Sequence, residues 1–340
     1  MSRTLKLILM GISLALGTTE AQAQTNCDRG CLRGMLDSYL AAVVAHKPPA
    51  APLVTGFRQT ENAINTAPGH GAWQSVTALG AVQRKYFDEV SGQAAYFGTV
   101  EEGDKTAIVT IRVRVENREL TEAEWYIARA DDPGLSGPRQ PGGRPANLHN
   151  PEYLEANPPP NRVVPRNERA DRETLVRIVE SYFDALTSHD RTVALAHEGC
   201  GRAENGSPAP AGAFLPAAPG NAASGAPGPA VPAPAAGGAV RDCLAGLENF
   251  NLSMVVARRM PLVDVEAQVV LSYAVFIRRP GSPTPRNVFS EWFIIDEAKI
   301  RTIYTAMFYP PPTLAVPNWP PYGGNWPLPT TTVPEAASNR

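Results

Sequence analysis

MLDSYLAAVVAH at residues 35–46 and IVESYFDALTSH at residues 178–189 are two versions of one pattern. Positions 35 and 178 differ by 143, and the same offset aligns Glu61-Asn62 with Glu204-Asn205. A fixed period of this kind indicates a duplicated structural unit, so we expect two copies of a domain of roughly 130 residues. Four pairs are identical between the stretches: Ser38 and Ser181, Tyr39 and Tyr182, Ala42 and Ala185, and His46 and His189.

Each repeated stretch predicts an amphipathic helix. In the first copy, apolar residues recur with a helical period from Leu32 to Val43, and the helix is expected to end near Lys47-Pro48-Pro49. In the second copy, Asp171 is expected to cap the start of the helix. Residues 50–75 are rich in Pro and Gly, which predicts a loop after the first helix.

Period-2 patterns follow each helix and predict strands. Short turns separate neighbouring strands, so the order is one helix followed by adjacent strands, which is typical of an α+β fold and not of a parallel α/β sheet. The predicted strands are 78–87, 93–101, 106–117 and 120–129 in the first copy, and 250–260, 267–278, 287–296 and 299–308 in the second.

Composition divides the remaining chain. Residues 131–170 are poor in apolar side chains and predict a linker between a first domain at 27–130 and a second at 171–310. Residues 207–239 are nearly all Ala, Pro and Gly, which predicts a disordered insertion. The tail at 311–340 carries aromatic residues among prolines and is expected to lie as an extended strap over one domain.

The first 23 residues read as an export signal. Arg3 and Lys6 precede an apolar stretch, and 21–23 form a small-x-small site with cleavage expected after Ala23. The apolar stretch is shorter than the about 20 residues that a membrane span requires. The net charge of −2 without a basic cluster argues against nucleic acid and anionic membranes as partners. We therefore predict a periplasmic or secreted protein without a membrane span.

The four cysteines favour disulfides. Cys200 and Cys243 bracket the insertion, and Cys27 and Cys31 lie four apart at the predicted mature N-terminus. An oxidising compartment and an even count favour these two local pairs, although four cysteines permit three pairings. Zinc is the alternative for the same cysteines, but no His lies at ligand spacing near either pair, so no metal site is predicted.

The motifs resemble the nuclear transport factor two-like superfamily, and more narrowly exported tandem proteins of the SnoaL-like type. The resemblance covers about residues 27–130 and 172–310, and it implies two tandem cone-shaped barrels, each a curved antiparallel sheet around helices with an internal pocket. Members include ketosteroid isomerase, scytalone dehydratase, polyketide cyclases and domains that only bind, so fold alone does not settle function. The motifs are Tyr39-x6-His46, Thr60-Glu61-Asn62, Gly71-x-Trp73, Asp88-x3-Gly92-Gln93, Cys200-x-Arg202-x-Glu204-Asn205-Gly206, Arg258-Arg259 and Asp264.

Enzymes of this fold that need no cofactor place carboxylates in a water-poor cone, where burial raises a carboxyl pKa toward that of a general base. Glu291 lies two positions after Phe289 and opposite Trp292, so inward orientation makes it a base candidate. The candidate catalytic residues are Glu204, Glu291, Arg202, Tyr182 and Asp264. The candidate substrate-binding residues are Tyr39, Glu61, Asn62, Trp73, Asp88, Arg112, Asn205 and Trp292.

Structural roles compete with each assignment. The Glu-Asn pairs can satisfy backbone groups after a helix, the two tyrosines can be core residues, and Asp88 and Asp264 can shape turns. Arg112 can lie on a solvated sheet face or inside the cone beside a carboxylate. Because both copies keep the shared residues, function is expected where the copies differ, and therefore in the second copy first.

The predicted function is an exported, cofactor-independent lyase or isomerase acting on a small, largely apolar or aromatic substrate by general acid-base catalysis. No phosphate-cradling loop, nucleophile elbow or dinucleotide fingerprint is present, so no cofactor is predicted. The alternative is a periplasmic small-molecule-binding or envelope-associated scaffold protein without turnover. The superfamily commonly dimerises through its sheets, which implies a monomeric internal pseudo-dimer or a homodimer.

Overall fold

The structure is a computed structural model that describes residues 27–135, 148–209 and 242–311. The predicted signal peptide at 1–23 lies outside the described residues. So do most of the predicted insertion at 207–239 and most of the predicted tail at 311–340.

The described residues form α-helices and strands in the order helix, then strands, twice over. The helices are α1 (Arg29–Val44), α2 (Ala72–Ser75), α3 (Pro151–Ala156) and α4 (Arg172–Ser188). The first six strands are β1 (Leu53–Glu61), β2 (Ile64–Asn65), β3 (Ala78–Asp88), β4 (Gln93–Glu102), β5 (Lys105–Glu116) and β6 (Glu119–Ala128). The next six are β7 (Ala196–Glu204), β8 (Ser207–Pro208), β9 (Met254–Asp264), β10 (Val269–Ile277), β11 (Arg286–Asp296) and β12 (Lys299–Phe308). Single 3₁₀ turns occur at Pro48–Ala50, Arg166–Glu168, Arg191–Val193 and Leu247–Asn249.

Two six-stranded sheets have the same strand order. The first runs β2-β1-β6-β5-β4-β3 and the second β8-β7-β12-β11-β10-β9. Both sheets are mixed, because β1 pairs parallel with β6 and β7 pairs parallel with β12, whereas the other pairings are antiparallel. The predicted α+β class and the tandem arrangement of two similar units are therefore confirmed.

The loop predicted at 50–75 was wrong, because it contains β1, and the equivalent strand β7 was also missed. Both strands carry a glycine in the left-handed region, Gly56 with φ 86° and Gly199 with φ 71°. At both places the parallel register shifts, so the strand is irregular and its side chains do not alternate simply. Because of this irregularity, β1 and β7 lack the regular period-2 pattern that predicts the other long strands.

Each long helix packs on one face of its own sheet, which we call the inner face. Asp28 caps α1 by accepting from the Cys31 amide, and Asp171 caps α4 by accepting from the Thr174 amide, as predicted for Asp171. Each fully buried Leu or Phe on these helices contributes about 1.5–3 kcal/mol by leaving water. The buried side chains of α4 are Leu175, Ile178, Val179, Tyr182, Phe183, Ala185 and Leu186.

The opposite, outer faces of the two sheets pack against each other. Tyr126 stacks on Tyr273 with ring centroids 4.9 Å apart, and Trp292 lies 5.0 Å from Tyr86 and 6.0 Å from Phe97. These residues belong to a third buried cluster, separate from the two helix-facing cores. The two units thus pair through the outer faces of their sheets. Each helix lies on the side of its sheet that faces away from the other unit.

The described part of the predicted linker packs on both units. On the first unit, Tyr86 donates its hydroxyl to the Pro160 carbonyl at 3.3 Å. On the second, Arg162 donates to the Ala267 carbonyl at 3.2 Å and to the Ile295 carbonyl at 2.5 Å. The segment therefore helps to fix the relative position of the units.

Both predicted disulfides are present, Cys27–Cys31 and Cys200–Cys243. The first lies at the start of α1, and the second joins β7 to the segment that follows the predicted insertion. None of the helices within the described ranges has the length and apolar character needed to cross a membrane.

Candidate functional site

Alternation along two strands of the second unit brings three charged side chains onto its inner face. On β7, Arg202 and Glu204 lie two residues apart, and both are buried. On β11, Glu291 shares a face with Phe289 and Phe293, which belong to the helix-facing core. The inward orientation considered for Glu291 is therefore observed, and the cluster lies inside the cone of the second unit.

Arg202 joins the two carboxylates. Its Nε and Nη2 donate to Glu291 Oε1 at 3.3 and 3.0 Å, and its Nη1 donates to Glu204 Oε2 at 3.1 Å. The exposed fractions are 3% for Arg202, 2% for Glu204 and 0% for Glu291. Two carboxylates and one guanidinium give the cluster a formal charge of −1 when all three groups are ionised, in a place without solvent.

Two polar groups in this cluster have an open hydrogen-bonding capacity: Glu291 Oε2 accepts no hydrogen bond, and the Tyr182 hydroxyl, which lies beside the Arg202 guanidinium, donates none. Tyr182 extends from α4 and is fully buried. Buried polar groups are normally satisfied, because each unmade hydrogen bond costs about 1–3 kcal/mol. A bound polar molecule that donates to Glu291 Oε2 and accepts from the Tyr182 hydroxyl would satisfy both groups.

The pKa of Glu291 is raised by burial, and its ion pair with Arg202 opposes that rise. Burial also raises the pKa of the Tyr182 hydroxyl well above its usual range, so it stays protonated at neutral pH. Burial lowers the pKa of Arg202, but the neighbouring acidic groups outweigh it, so the net pKa is raised and Arg202 stays charged. The cluster therefore contains a carboxylate of increased basicity, a phenol that can donate, and a fixed cation.

The other oxygens are occupied. Glu204 Oε1 accepts from the Tyr309 hydroxyl at 2.9 Å, so both of its oxygens have partners. Glu291 Oε1 also accepts from Thr305 Oγ1 at 3.2 Å. The structure therefore separates the two candidate acids, because only Glu291 retains an open oxygen.

The first unit has a closed, neutral network at the equivalent place. Tyr39 donates its hydroxyl to Gln59 Oε1 at 2.7 Å and accepts from Trp125 Nε1 at 2.8 Å. Trp73 Nε1 also donates to Gln59 Oε1, at 2.8 Å. The register places Gln59 where the second unit has Arg202, and Ile111 where it has Glu291. Tyr39 and Trp73 thus lie in the first core with their polar groups satisfied.

The paired Glu-Asn elements have structural partners. Asn62 exchanges two hydrogen bonds with the backbone of Ile127, and Asn205 does the same with Met307. Both asparagines adopt a positive φ, 49° and 46°. Glu61 accepts from the Ala72 amide at 2.7 Å and from Arg129 at 3.2 Å. These contacts explain why both copies keep the Glu-Asn pair without invoking a ligand.

Asp88 and Asp264 lie apart from the cluster, at the junction of the two units. Arg29, the first residue of α1, donates to both oxygens of Asp264 at 3.0 and 2.8 Å. Arg172, the first residue of α4, donates to Asp88 at 2.7 Å. Each aspartate also accepts from the backbone of the other unit, so the arrangement repeats about a pseudo-two-fold axis.

Arg112 and Trp292 lie on the outer faces, between the sheets. Arg112 donates to Glu122 at 3.1 Å and to Glu124 at 3.2 Å, and Glu124 also pairs with Arg259 of the second unit. Trp292 Nε1 donates to Thr110 of the first unit at 2.8 Å. Neither of the two positions weighed for Arg112 is observed, because packing of the two sheets buries a face that strand alternation alone leaves solvated.

A cavity of about 230 Å³ lies at the junction of the units, beside Asp88 and Asp264. A second, of about 550 Å³, lies between the linker segment and the second sheet, beside Arg162 and Gln268.

A group of potential metal ligands occurs in the described residues at Cys200, Asp242 and Cys243. Both sulfurs are joined in the disulfide, so they cannot act as thiolates. The donor set at this place therefore does not fit a metal ion.

Sequence reasoning missed three buried polar residues of the second cone: Tyr309, Arg278 and Asn287. Arg278 and Asn287 follow the inner-face alternation of β10 and β11, which could have revealed them. Tyr309 lies one residue beyond β12, and its buried partner Glu204 is distant in sequence, so no local signal was available.

Comparison with known proteins found one matching family and a similar solved structure, and neither is described by an activity. The family described as "Domain of unknown function (DUF8021)" matches residues 168–307, which span the second unit. No curated protein matches the chain. An NTF2-like protein of unknown function from Cytophaga hutchinsonii ATCC 33406 is similar to part of the chain. Its identity is 16% and its TM-score is 0.25, with 31% of this chain and 94% of that chain covered.

Proposed function

We propose that the second unit binds a small, largely apolar organic molecule and moves a proton on it without a cofactor. The single observation that carries the proposal is the pair of unsatisfied atoms, Glu291 Oε2 and the Tyr182 hydroxyl, in an otherwise paired buried cluster. The reaction class is dehydration, elimination or a double-bond shift, as expected from the resemblance to cofactor-independent enzymes of this fold.

Glu291 is the general base in this proposal. Its Oε2 takes a proton from the carbon beside a carbonyl group, while Tyr182 donates a hydrogen bond to the oxygen on which negative charge develops. Arg202 holds Glu291 through Oε1 and leaves Oε2 toward the substrate. The proton returns to another carbon in a double-bond shift, or leaves with hydroxide as water in a dehydration.

Burial supports this division of roles. A carboxylate without water is a stronger base, and a dry site strengthens each electrostatic contact with the substrate. Glu204 has both oxygens engaged, so its role is to position Arg202. The closed network around Tyr39 gives the first unit a supporting role in this proposal.

A second candidate function is binding without turnover. Glu291 and Tyr182 are each 0% exposed, so a ligand must displace part of the cone wall before it reaches them. A protein that binds in this manner and releases its ligand unchanged is the envelope-associated or periplasmic binding module considered from the sequence. The two disulfides fit the predicted export, because such bonds persist in oxidising compartments.

The test is turnover of a panel of hydroxy-carbonyl and aromatic compounds by the mature protein. We expect a reactive compound to lose at least 100-fold in kcat with Glu291→Gln, since a positioned base contributes about 10²–10⁴-fold. The exposed variant Glu119→Gln is the matched control and keeps full turnover. Unchanged turnover in Glu291→Gln removes Glu291 as the base. Ligands that raise the melting temperature and are recovered unaltered favour the binding module.

A further inference from the structure

A second set of unpartnered polar atoms lies in the same cone and consists only of donors. Arg278 Nη2 donates to Asn287 Oδ1 at 2.8 Å. Arg278 Nε and Nη1 and the Asn287 amide nitrogen have no hydrogen-bond partner. Arg278 is 4% exposed and Asn287 is 0% exposed. Three buried donor nitrogens therefore have no acceptor.

Strand alternation places both residues on the inner face of the second sheet. Arg278 follows Phe276 by two positions, and Asn287 precedes Phe289 by two, and both phenylalanines belong to the helix-facing core. Phe276 pairs with Asn287 in the β10–β11 register. Arg279, the next residue along the chain, is exposed, so the Arg278 group lies near the surface end of the cone.

Arg278 lacks the carboxylate partner that a buried guanidinium normally has. It forms no ion pair with any acidic group of the described ranges, in contrast to Arg202 and Arg112 in the same protein. Burial lowers the pKa of Arg278, and the acidic groups of Tyr309 and Glu204 oppose this shift only in part. A buried charge without an ion-pair partner costs free energy in the ligand-free protein. An anion that pairs with Arg278 therefore stabilises the bound state.

We propose that Arg278 and Asn287 form a carboxylate-binding subsite of the second unit. The planar guanidinium fork matches two carboxylate oxygens, and the Asn287 amide supplies a further donor. Phe250 and Phe276 flank the guanidinium, with its central carbon 5.3 and 5.9 Å from their ring centroids. These rings fit a ligand whose carboxylate continues into an apolar or aromatic body.

The subsite deepens the proposed function and rests on it for the identity of the reacting end. Asn287 and Glu291 are four residues apart on one strand, so their Cα atoms are separated by roughly 13 Å. A ligand held by its carboxylate at Arg278 places the far end of its apolar body toward Glu291. The substrate class is therefore a small unsaturated or aromatic carboxylic acid.

The probe for this subsite is cinnamate, compared with its neutral amide, cinnamamide, and with sodium phosphate and sodium chloride. We expect cinnamate to raise the melting temperature of the wild-type protein, with little effect from cinnamamide or either salt. In Arg278→Met, cinnamate binding measured by calorimetry weakens by about 10- to 100-fold, as expected for lost charge-assisted hydrogen bonds. The neighbouring variant Arg279→Gln binds cinnamate like the wild type.

A second variant tests the site without removing the arginine. Asn287→Asp has nearly the same shape and supplies a carboxylate 2.8 Å from Arg278, at the position of the present oxygen. We expect it to raise the melting temperature of the ligand-free protein and to abolish the effect of cinnamate. A purely structural Arg278–Asn287 contact also predicts the stabilisation, but it predicts no cinnamate effect in the wild type for the variant to abolish.

Four outcomes overturn the subsite. Equal cinnamate binding by wild type and Arg278→Met does so, as does equal binding of cinnamate and cinnamamide. No response to cinnamate at saturating concentration, or an equal response to phosphate alone, likewise removes the organic carboxylate as the ligand. Failure of the proposed chemistry is distinguishable, because Glu291→Gln then leaves both cinnamate binding and turnover unchanged.

Discussion

Arg202 donates from two nitrogens to one oxygen of Glu291, Oε1, and leaves the other, Oε2, without a partner. A bidentate arrangement that used both oxygens would satisfy the carboxylate and lower its basicity. The observed geometry instead fixes the group while keeping one oxygen open. This asymmetry distinguishes Glu291 from Glu204, whose two oxygens are both engaged.

The stability of the protein is expected to depend on the ionisation of Glu291. Its raised pKa means that the folded state binds a proton more tightly than the unfolded state. The corresponding stabilisation is complete below the unfolded pKa of about 4.3 and is lost as pH rises through the folded value. Hence the wild type should lose stability relative to Glu291→Gln as pH rises from about 4.3 through the folded pKa of Glu291. Urea unfolding of both proteins across that range measures the difference, and a difference independent of pH contradicts the raised pKa.

Loss of the hydroxyl should lower the free energy of unfolding at Tyr39 but not at Tyr182. Tyr39→Phe breaks bonds to Gln59 and Trp125 in a buried place and should cost about 1–3 kcal/mol. Tyr182→Phe removes a buried hydroxyl that donates no hydrogen bond and should leave the free energy of unfolding unchanged or higher. Chemical denaturation of the two variants provides a matched comparison. A cost for Tyr182→Phe equal to that of Tyr39→Phe indicates that Tyr182 is an ordinary core residue.

The junction of the units should depend on Asp264. Asp264→Asn weakens the pair with Arg29 and should cost about 2–4 kcal/mol, because Asp264 is fully buried. The exposed pair of Lys105 and Asp131 is the control, and Lys105→Ala should change stability by less than about 1 kcal/mol. Thermal unfolding with limited proteolysis at the junction measures both. Equal small effects show that the reciprocal pairs do not hold the units together.

The two disulfides should contribute unequally. Cys200–Cys243 closes a separation of 43 residues, for which loop entropy gives about 4 kcal/mol, whereas Cys27–Cys31 closes four residues and gives about 2 kcal/mol. Paired Cys→Ala variants, compared by urea unfolding under oxidising conditions, test the order. A larger loss from the Cys27–Cys31 variant contradicts it.

Much of the fold could be predicted from the sequence because regular strands show a period-2 alternation of apolar and polar residues. The alternation of Ile111, Val113 and Val115 marks one buried face of β5, and the structure places these residues in the helix-facing core. The strands β1 and β7 were not predicted, because Gly56 and Gly199 interrupt them at register shifts. A strand with such an interruption does not show the period-2 pattern in its sequence.

The candidate site was only partly predictable, for a reason of assembly. Strand alternation allowed an inward orientation of Glu291, which the structure shows, but it could not show that the outer faces are buried too. Asp88, Asp264 and Arg112 therefore looked like site residues, although they lie where the two units meet. Contacts between the copies depend on their relative placement, which neither copy encodes alone.

The most direct test of the account is solvent deuterium incorporation into a bound substrate, followed by mass spectrometry in D₂O. The wild-type protein and the control Glu119→Gln should introduce deuterium at the carbon beside the carbonyl group, because proton removal by Glu291 is reversible and the proton on Glu291 exchanges with solvent before the same carbon is reprotonated. Glu291→Gln should reduce the incorporation rate by at least 100-fold while still binding the compound. Equal incorporation by Glu291→Gln and wild type would contradict Glu291 as the base.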